Sequence, residues 1–197
     1  MPAADRRITA ADIVPDAVFA AERKARRAAL LTAKKLRRTH LGPWCTVYFE
    51  SFETMLFQVQ EMLLIEKGGE AQLADELAAY NPMIPQGAEL TATLMFEIED
   101  PIRRARALEG LGGVEDHFYL EAGGERSAAV QEGDVERTRE DGKTSSVHFL
   151  HFPLAPAAVA AFRTHGARVL VGCDDARYAH MAVLSDETKA ELARDLA

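Results

Sequence analysis

The sequence lacks several features that would narrow its function at once. Its two cysteines, Cys45 and Cys173, lie far apart and form no C-x-x-C pair, so no disulfide framework is predicted and a reducing cytoplasm is the simplest assumption. No apolar run approaches the roughly 20 residues that cross a bilayer, and the N-terminus has no apolar core of a secretory signal. We therefore expect a cytoplasmic protein without a membrane-spanning segment.

The common catalytic signatures are also missing. The paired glycines do not stand between a strand and a helix, so neither a phosphate-binding loop nor a dinucleotide fingerprint is present. No G-x-S-x-G elbow occurs, and no Glu-x-x-His pair of the kind that holds iron in helical bundles. The sequence therefore leaves open whether the protein is an enzyme, and it identifies no catalytic residue or cofactor.

Acidic residues outnumber basic ones, but the two signs are unevenly distributed. The whole chain carries a net charge of −8, whereas residues 16–38 carry eight basic and two acidic side chains. That segment has a charge of +6, so the remainder has a charge of −14. Opposite charges in separate regions indicate that the basic segment docks on the acidic body or binds an anionic partner.

The basic segment is predicted to form a long helix from Asp16, behind a partly ordered lead-in over residues 1–15. One face carries small side chains that allow close helix packing. Four basic side chains line up on the other face: Arg23, Arg27, Lys34 and Arg38. We interpret these four as a solvated face that pairs in part with acids such as Glu61, or as part of a partner-binding surface. Nucleic-acid binding is the weaker alternative, because no aromatic residues interleave with the basic ones.

A central helix over residues 50–66 is the segment on which the rest of the chain is expected to pack. Apolar side chains at helical spacing form one broad face: Phe52, Met55, Leu56, Val59, Met62 and Leu63. Phe57 and Leu64 lie nearly opposite, among charged and polar residues. A helix that is apolar on two sides is usually buried twice. We therefore predict that Phe57 and Leu64 pack under a second element or bind a partner protein or another copy of the chain.

Helices cluster early in the chain and strands dominate the later part. Residues 88–99 alternate apolar and polar side chains, which predicts a strand with one buried face. Further strands are predicted at residues 44–49, 114–121, 125–130, 144–152, 167–173 and 178–184. Regular alternation of strands and helices is missing, so we predict one α+β domain over residues 16–197. Its mostly antiparallel sheet is covered by helices, with the basic helix packed on the central helix.

One candidate metal site depends on which strands are neighbours. Glu115 and His117 share a face of one predicted strand, and Glu97 and Glu99 project together from another. If the two strands pair, the four side chains offer ligands that suit zinc, iron or manganese. Carboxylates are common on the wet face of a sheet, so a surface role without metal is the competing interpretation.

The remaining histidines and cysteines give weaker signals. His148 and His151 form an H-x-x-H pattern, but an odd separation on a strand turns the two rings to opposite faces. Without a bulge they cannot share a metal ion. Cys45 is expected to be a small buried apolar residue. Two acids follow Cys173, and they would raise the pKa of its thiol rather than activate it.

Short strings of residues, spread over most of the chain, carry a resemblance to a known family. They are Gly42-Pro43, Phe49-Glu50, Glu53-Thr54, Gln58–Met62, Ile65-Glu66, Glu76-Leu77, Tyr80–Pro82, Ile84-Pro85, Ala92–Glu97, Ser146–Phe149 and Phe152. From about residue 16 to the C-terminus, the sequence resembles an uncharacterised bacterial family, domain of unknown function 3501. The family has no assigned activity, so no catalytic residue is carried over.

The resemblance also implies a cellular setting. Members of the family tend to be encoded near rubrerythrin-like and iron–sulfur oxidoreductase proteins, which implies an accessory role in a redox or peroxide-defence system. Two hypotheses therefore remain. The first is an accessory or interaction protein that binds a protein partner or its own copy. The second is a metal-binding protein or enzyme that uses the carboxylate and histidine site.

Overall fold

The computed structural model describes residues 6–133 and 143–197. These stretches contain six α-helices: α1 (Asp16–Leu36), α2 (Phe52–Glu66), α3 (Gly69–Tyr80), α4 (Pro101–Glu109), α5 (Pro156–Arg163) and α6 (Asp186–Leu192). They also contain nine strands: β1 (Arg38–Leu41), β2 (Cys45–Phe49), β3 (Glu89–Phe96), β4 (Phe118–Ala122), β5 (Glu125–Ala128), β6 (Val130–Gln131), β7 (Val147–Pro153), β8 (Val169–Cys173) and β9 (His180–Val183).

The strands form two antiparallel sheets, so the α+β prediction is confirmed. The first sheet has the order β1-β2-β3-β7-β6 and the second the order β5-β4-β8-β9. β3 is the centre of the first sheet, where Val47 lies opposite Leu94 and Ala92 lies opposite Leu150. The expected sheet is therefore divided in two, which periodicity alone does not reveal because it reports faces and not strand order.

The two sheets enclose one apolar interior. At one side, β5 and β6 follow each other with Ala129 between them, and its N–H donates to the carbonyl of Phe118 over 2.9 Å. At the other side, β1 contacts β9. Large side chains from both sheets fill the space between them, including Phe49, Phe118 and Phe152, each no more than 1% exposed. Leu108 of α4, Phe162 of α5 and Leu192 of α6 belong to the same core, so strands and these helices enclose it together.

Alternation along the strands separates the interior from the outer face. In β3, Leu90, Ala92 and Leu94 are fully buried, as the period of two predicts. In β7, His148 points into the buried layer while His151 is half-buried on the other side. The prediction that these two histidines lie on opposite faces is confirmed.

Three helices cover the outer face of the first sheet. α2 packs there through Met55, Val59 and Leu63, in a second apolar cluster that also contains Ile8 and Met83. α1 and α3 lie against α2. The packing of the long basic helix on the central helix is therefore confirmed. Because Ile8 is 1% exposed, the buried cluster extends to the N-terminal side of Asp16.

The second apolar side of α2 is covered within the same chain. The ring of Phe57 lies 5.6 Å from that of Phe19 on α1, measured between centroids, and Lys34 approaches Phe57 from above. Arg23 of α1 pairs with Glu61 of α2, with Nε 2.6 Å from Oε1. Leu64 is half-buried. The prediction of a second covering element is confirmed for Phe57, which packs under α1.

Capping residues explain where several helices begin. The hydroxyl of Ser51 accepts from the N–H of Thr54, and Asp100 and Ser185 do the same for α4 and α6. Among the described residues, none of the helices combines the length and apolar character that a membrane crossing needs.

Four local predictions need correction or fall outside the description. The sequence predicts that residues 38–41 end the long helix and break the chain. Instead they form the strand β1, which pairs with β2. The strand predicted over residues 88–99 ends at Phe96. Residues 114–117 form a 3-10 turn rather than the start of a strand. The hairpin predicted at Asp141-Gly142 lies outside the described residues.

Candidate functional site

The carboxylate and histidine residues predicted to hold a metal are not brought together. Glu97 and Glu99 follow β3 in the first sheet, whereas Glu115 and His117 precede β4 in the second. The two strands are not neighbours, so the condition for a shared site is not met. Within residues 6–133 and 143–197, no group of three or more His, Cys, Asp or Glu side chains could hold a metal ion.

These four residues have other environments. Glu97 accepts hydrogen bonds from Thr46 over 2.5 Å and from Tyr48 over 2.8 Å, and these bonds lower its pKa. Glu99 is exposed. Glu115 is 4% exposed and accepts from the hydroxyl of Thr144. His117 is exposed and bonds Asp174 through Nδ1 at 3.0 Å.

A cleft of about 640 Å³ lies between α1, the start of α2 and the outer face of the first sheet. Its wall on the helical side includes Leu31, Met55, Gln58 and Tyr80, and its wall on the sheet side includes Tyr48, Thr93, Met95, Val147 and Phe149. Cavities of roughly 300–1,000 Å³ hold drug-sized ligands in other proteins. We call this space the α1 cleft.

The position of α1 creates the α1 cleft. α2 packs on the sheet through an apolar cluster that includes Phe149 of β7, while α1 lies against α2 and contacts β1, the strand that follows it. Arg37 fixes that end. It is 4% exposed, and its guanidinium donates to Glu191 over 3.0 Å and to Asp195 over 2.6 Å. The α1 cleft is the space left beside α1, between that anchor and the sheet.

The floor of the α1 cleft contains a buried carboxyl group. Glu50 follows β2 and is 8% exposed. Its Oε1 accepts from the Thr93 hydroxyl and its Oε2 from the Thr54 hydroxyl, each over 2.6 Å. Burial raises the pKa of Glu50, and the two threonine bonds and the charges of Lys34 and Arg37 only partly offset it.

The walls of the α1 cleft are mainly apolar. Met95 and Phe149 stand on the outer face of the first sheet, in line with the alternation along β3 and β7, and both are half-buried. Met55 lies across from them on α2 and is 5% exposed. Leu31 of α1 lines the mouth of the cleft and is exposed. These side chains would contact the apolar part of a ligand.

The rim of the α1 cleft is basic. Lys34, Lys35 and Arg38 line it, and all three are exposed. Two of the basic residues singled out in the sequence, Lys34 and Arg38, are therefore at the cleft. The other two are not: Arg23 is paired with Glu61, and Arg27 is exposed on α1 and does not line the cleft.

Glu50, the buried acid of this cleft, carries no strong sequence signal. Glu50 was placed at the start of the central helix, where a carboxylate is ordinary. The available signal was its position directly after an apolar strand and before the Ser51 cap, a junction that is buried when a helix folds back on its sheet. Thr93 belongs to the polar face of a strand that alternation identified correctly, but alternation does not show what covers that face.

Two polar clusters lie outside the α1 cleft. His151 bridges Glu89 and Glu132, with nitrogen–oxygen distances of 3.1 and 2.6 Å, and the Glu89 bond is the main cause of its raised pKa. At the end of β8, Asp174 is bonded by His117 and Arg126. Both clusters are internally paired, and neither contributes a side chain to the α1 cleft.

The cysteines behave as expected from the sequence. Both are free and buried, Cys45 at 1% exposure and Cys173 at 2%. Burial is the main cause that raises the pKa of both thiols, and for Cys173 the pKa is about 11. Neither thiol is therefore activated as a nucleophile.

The fold and the α1 cleft define an α+β protein whose helices cover one face of a two-sheet core and leave a cavity of small-molecule size. A family model described as "Protein of unknown function (DUF3501)" matches residues 7–196. The chain therefore belongs to the DUF3501 family, as its resemblance predicted.

One solved structure shares the whole fold. It is the crystal structure of a novel protein of unknown function from Burkholderia pseudomallei K96243, which is 35% identical to this chain and has a TM-score of 0.88. The similarity covers 96% of this chain and 99% of that one. No curated protein matches the chain.

Proposed function

We propose that this protein binds a small organic anion with an apolar body in the α1 cleft. The observation that carries the proposal is a cavity of about 640 Å³ with apolar walls and a rim of three cationic side chains. A ligand of this class would place its apolar part against Met95 and Phe149 and its negative charge near Lys34.

The surroundings of the α1 cleft support selection for negative charge. The chain as a whole is acidic, with a net charge of −8, so a free anion is repelled by most of its surface. Lys34, Lys35 and Arg38 form a local exception beside an apolar cavity. Specificity for an anion there requires positive charges close to the ligand rather than a basic protein overall.

The dye 1-anilinonaphthalene-8-sulfonate tests the proposal, because it joins an apolar body to a permanent anion. We expect saturable fluorescence enhancement with one site per chain. The Lys34→Gln variant should bind the dye roughly fivefold more weakly, the effect of about 1 kcal/mol that a partly exposed charge pair supplies.

Lys24→Gln is the matched control, since Lys24 is exposed on the same helix and does not line the α1 cleft. It removes the same charge from the protein and should leave the dye affinity unchanged. Equal affinities for the two variants, or no saturable binding by the folded wild type, would contradict the proposal.

The broader expectation from the family, an accessory role in a redox or peroxide-defence system in the cytoplasm, stays a prediction. The two free buried thiols are consistent with a reducing compartment. Rubrerythrin-like or iron–sulfur partners would be identified by co-purification from native cells. Light scattering would test self-association; since α1 already covers Phe57, the face around the half-buried Leu64 is the part of α2 to vary first.

A further inference from the structure

Glu50 is a buried acid whose surroundings supply hydrogen bonds but no ion pair in the described part of the chain. Its two carboxyl oxygens accept from Thr54 and Thr93, and the carboxyl group lies on the same face of the sheet as the α1 cleft. A buried carboxylate without a paired cation is costly, and such a group usually takes up a proton instead.

The nearest guanidinium is already bonded elsewhere. Arg37 donates to the carboxylates of Glu191 and Asp195 and to the backbone carbonyl of Glu50. Its positive charge is therefore balanced by two carboxylates, that of Glu191 on α6 and that of Asp195, which lies shortly after α6. Glu50 receives only its residual field.

Other charged and titratable groups also face Glu50. Lys34 approaches from α1 and acts on Glu50 through its charge, but it is exposed and shared with the rim. Tyr80, at the end of α3, lines the α1 cleft and senses the charge of Glu50. Tyr48 of β2 also lines it, but its hydroxyl donates to Glu97. None of these three forms a hydrogen-bonded ion pair with Glu50 within residues 6–133 and 143–197.

We propose that Glu50 is the ligand-recognition residue of the α1 cleft, and that it carries a proton which it donates in a hydrogen bond to an oxygen of the ligand's anionic group. The inference rests on the proposed function, and it adds which side chain forms the hydrogen bond to the anionic group of the ligand. Each Glu50 oxygen accepts from one threonine hydroxyl, and a protonated Glu50 has in addition an O–H of its own to donate into the cleft that it lines. A carboxylic acid held neutral in this way is an effective donor to an oxyanion.

This arrangement couples ligand binding to pH. When Glu50 is protonated, it attracts the oxyanion together with Lys34. When Glu50 loses its proton, it becomes a second negative charge beside the ligand in a site of low polarity, and the donor is lost. Affinity for an anion should therefore decrease as pH rises through the pKa of Glu50, which lies above the ordinary glutamate value.

The test is a titration with 1-anilinonaphthalene-8-sulfonate from about pH 5 to about pH 9, a range in which lysine stays mostly charged. The sulfonate does not titrate there, so only the protein changes protonation. We expect wild-type affinity to fall at least tenfold across the range. Glu50→Gln, which keeps a neutral donor of the same size, should bind with high affinity at every pH.

Glu53→Gln is the matched control because Glu53 lies three residues away, in the first turn of α2, and does not line the α1 cleft. It should keep the wild-type pH profile. An infrared difference spectrum between wild type and Glu50→Gln gives a readout without ligand, and it should contain the carbonyl band of a protonated carboxylic acid at the pH values where wild-type affinity is high.

The outcomes separate the two proposals. Saturable dye binding with the same pH profile in wild type and Glu50→Gln would overturn the role of Glu50 and leave the binding function intact. Affinity that rises with pH would do the same. Absence of saturable binding at every pH would overturn the proposed function, whereas the infrared band would still report whether Glu50 is protonated.

Discussion

The interior between the two sheets and the helix-covered face of the first sheet are built differently. In the interior, side chains such as Leu94, Leu120 and Phe152 have no exposed surface, and the polar side chain of His148 is fully buried with them. The outer face, by contrast, holds buried polar groups such as Thr91, Glu50 and Gln60, and it contains the α1 cleft.

The difference separates the region that stabilises the fold, between the sheets, from the region proposed to bind a ligand, under the helices. The interior is filled by fully buried side chains, whereas the α1 cleft lies on the outer face of the first sheet. The helical layer meets the sheet through one tight cluster around Val59, and beyond that cluster α1 is held at its C-terminal end by Arg37. The space for the proposed ligand therefore lies beside α1 and outside the packing between the sheets.

The largest contrast should come from truncating one side chain in each region. Phe152→Ala removes a ring that is fully buried between the sheets and should lower the free energy of unfolding by about 4 kcal/mol. Met95→Ala, at the half-buried wall of the α1 cleft, should cost about 1 kcal/mol but weaken dye binding. Urea denaturation measures the free energy of unfolding of both variants. Equal losses of stability would show that the two regions do not differ in their contribution to stability.

A smaller effect is expected at the anchor of α1. Arg37→Ala leaves Glu191 and Asp195 without their buried partner, which should destabilise the protein by about 3 kcal/mol. Arg26→Ala, which breaks an exposed pair with Glu22 on the same helix, should cost only roughly a few tenths of a kcal/mol. If thermal denaturation gives similar values for both variants, Arg37 does not fix the helix.

The smallest effect concerns the edge where the sheets meet. The Glu89 bond and, secondarily, the Glu132 bond raise the pKa of His151 in the folded state. Its stabilisation is therefore complete below the unfolded pKa of about 6.5 and is lost as pH rises through the folded value. His151→Gln should lose about 1 kcal/mol at low pH and less at high pH. Melting temperatures across this range would show a constant difference if the imidazole is not charged.

Local sequence signals predicted most of the elements correctly. Helical periodicity identified α2 and the apolar face that it buries, and alternation identified β3 and its buried face. Capping and periodicity depend on neighbours a few residues apart, so they can be read from the chain directly. β1 was missed because its four residues continue a basic, helix-like pattern, and pairing with β2 overrides that preference.

The candidate sites depended on longer-range information. The metal site required β3 and β4 to pair, and the observed strand order places them in different sheets. The α1 cleft combines residues from α1, β2, α2 and β3 that no local pattern connects, and Glu50 became notable only when its burial was known. Of the residues selected for partner binding, Lys34 and Arg38 line the cleft, while Phe57 packs against Phe19.

The amino-acid sequence by itself determined the family, the α+β class, the two-sided burial of α2 and the outward and inward faces of the strands. These follow from the chemical character of side chains at fixed spacings along the backbone. Tertiary structure alone decided that the strands form two sheets, that α1 covers Phe57, and that Glu50 lies buried in a cleft with a basic rim. The reason is that strand order and the burial of a charge depend on contacts between segments far apart in the chain.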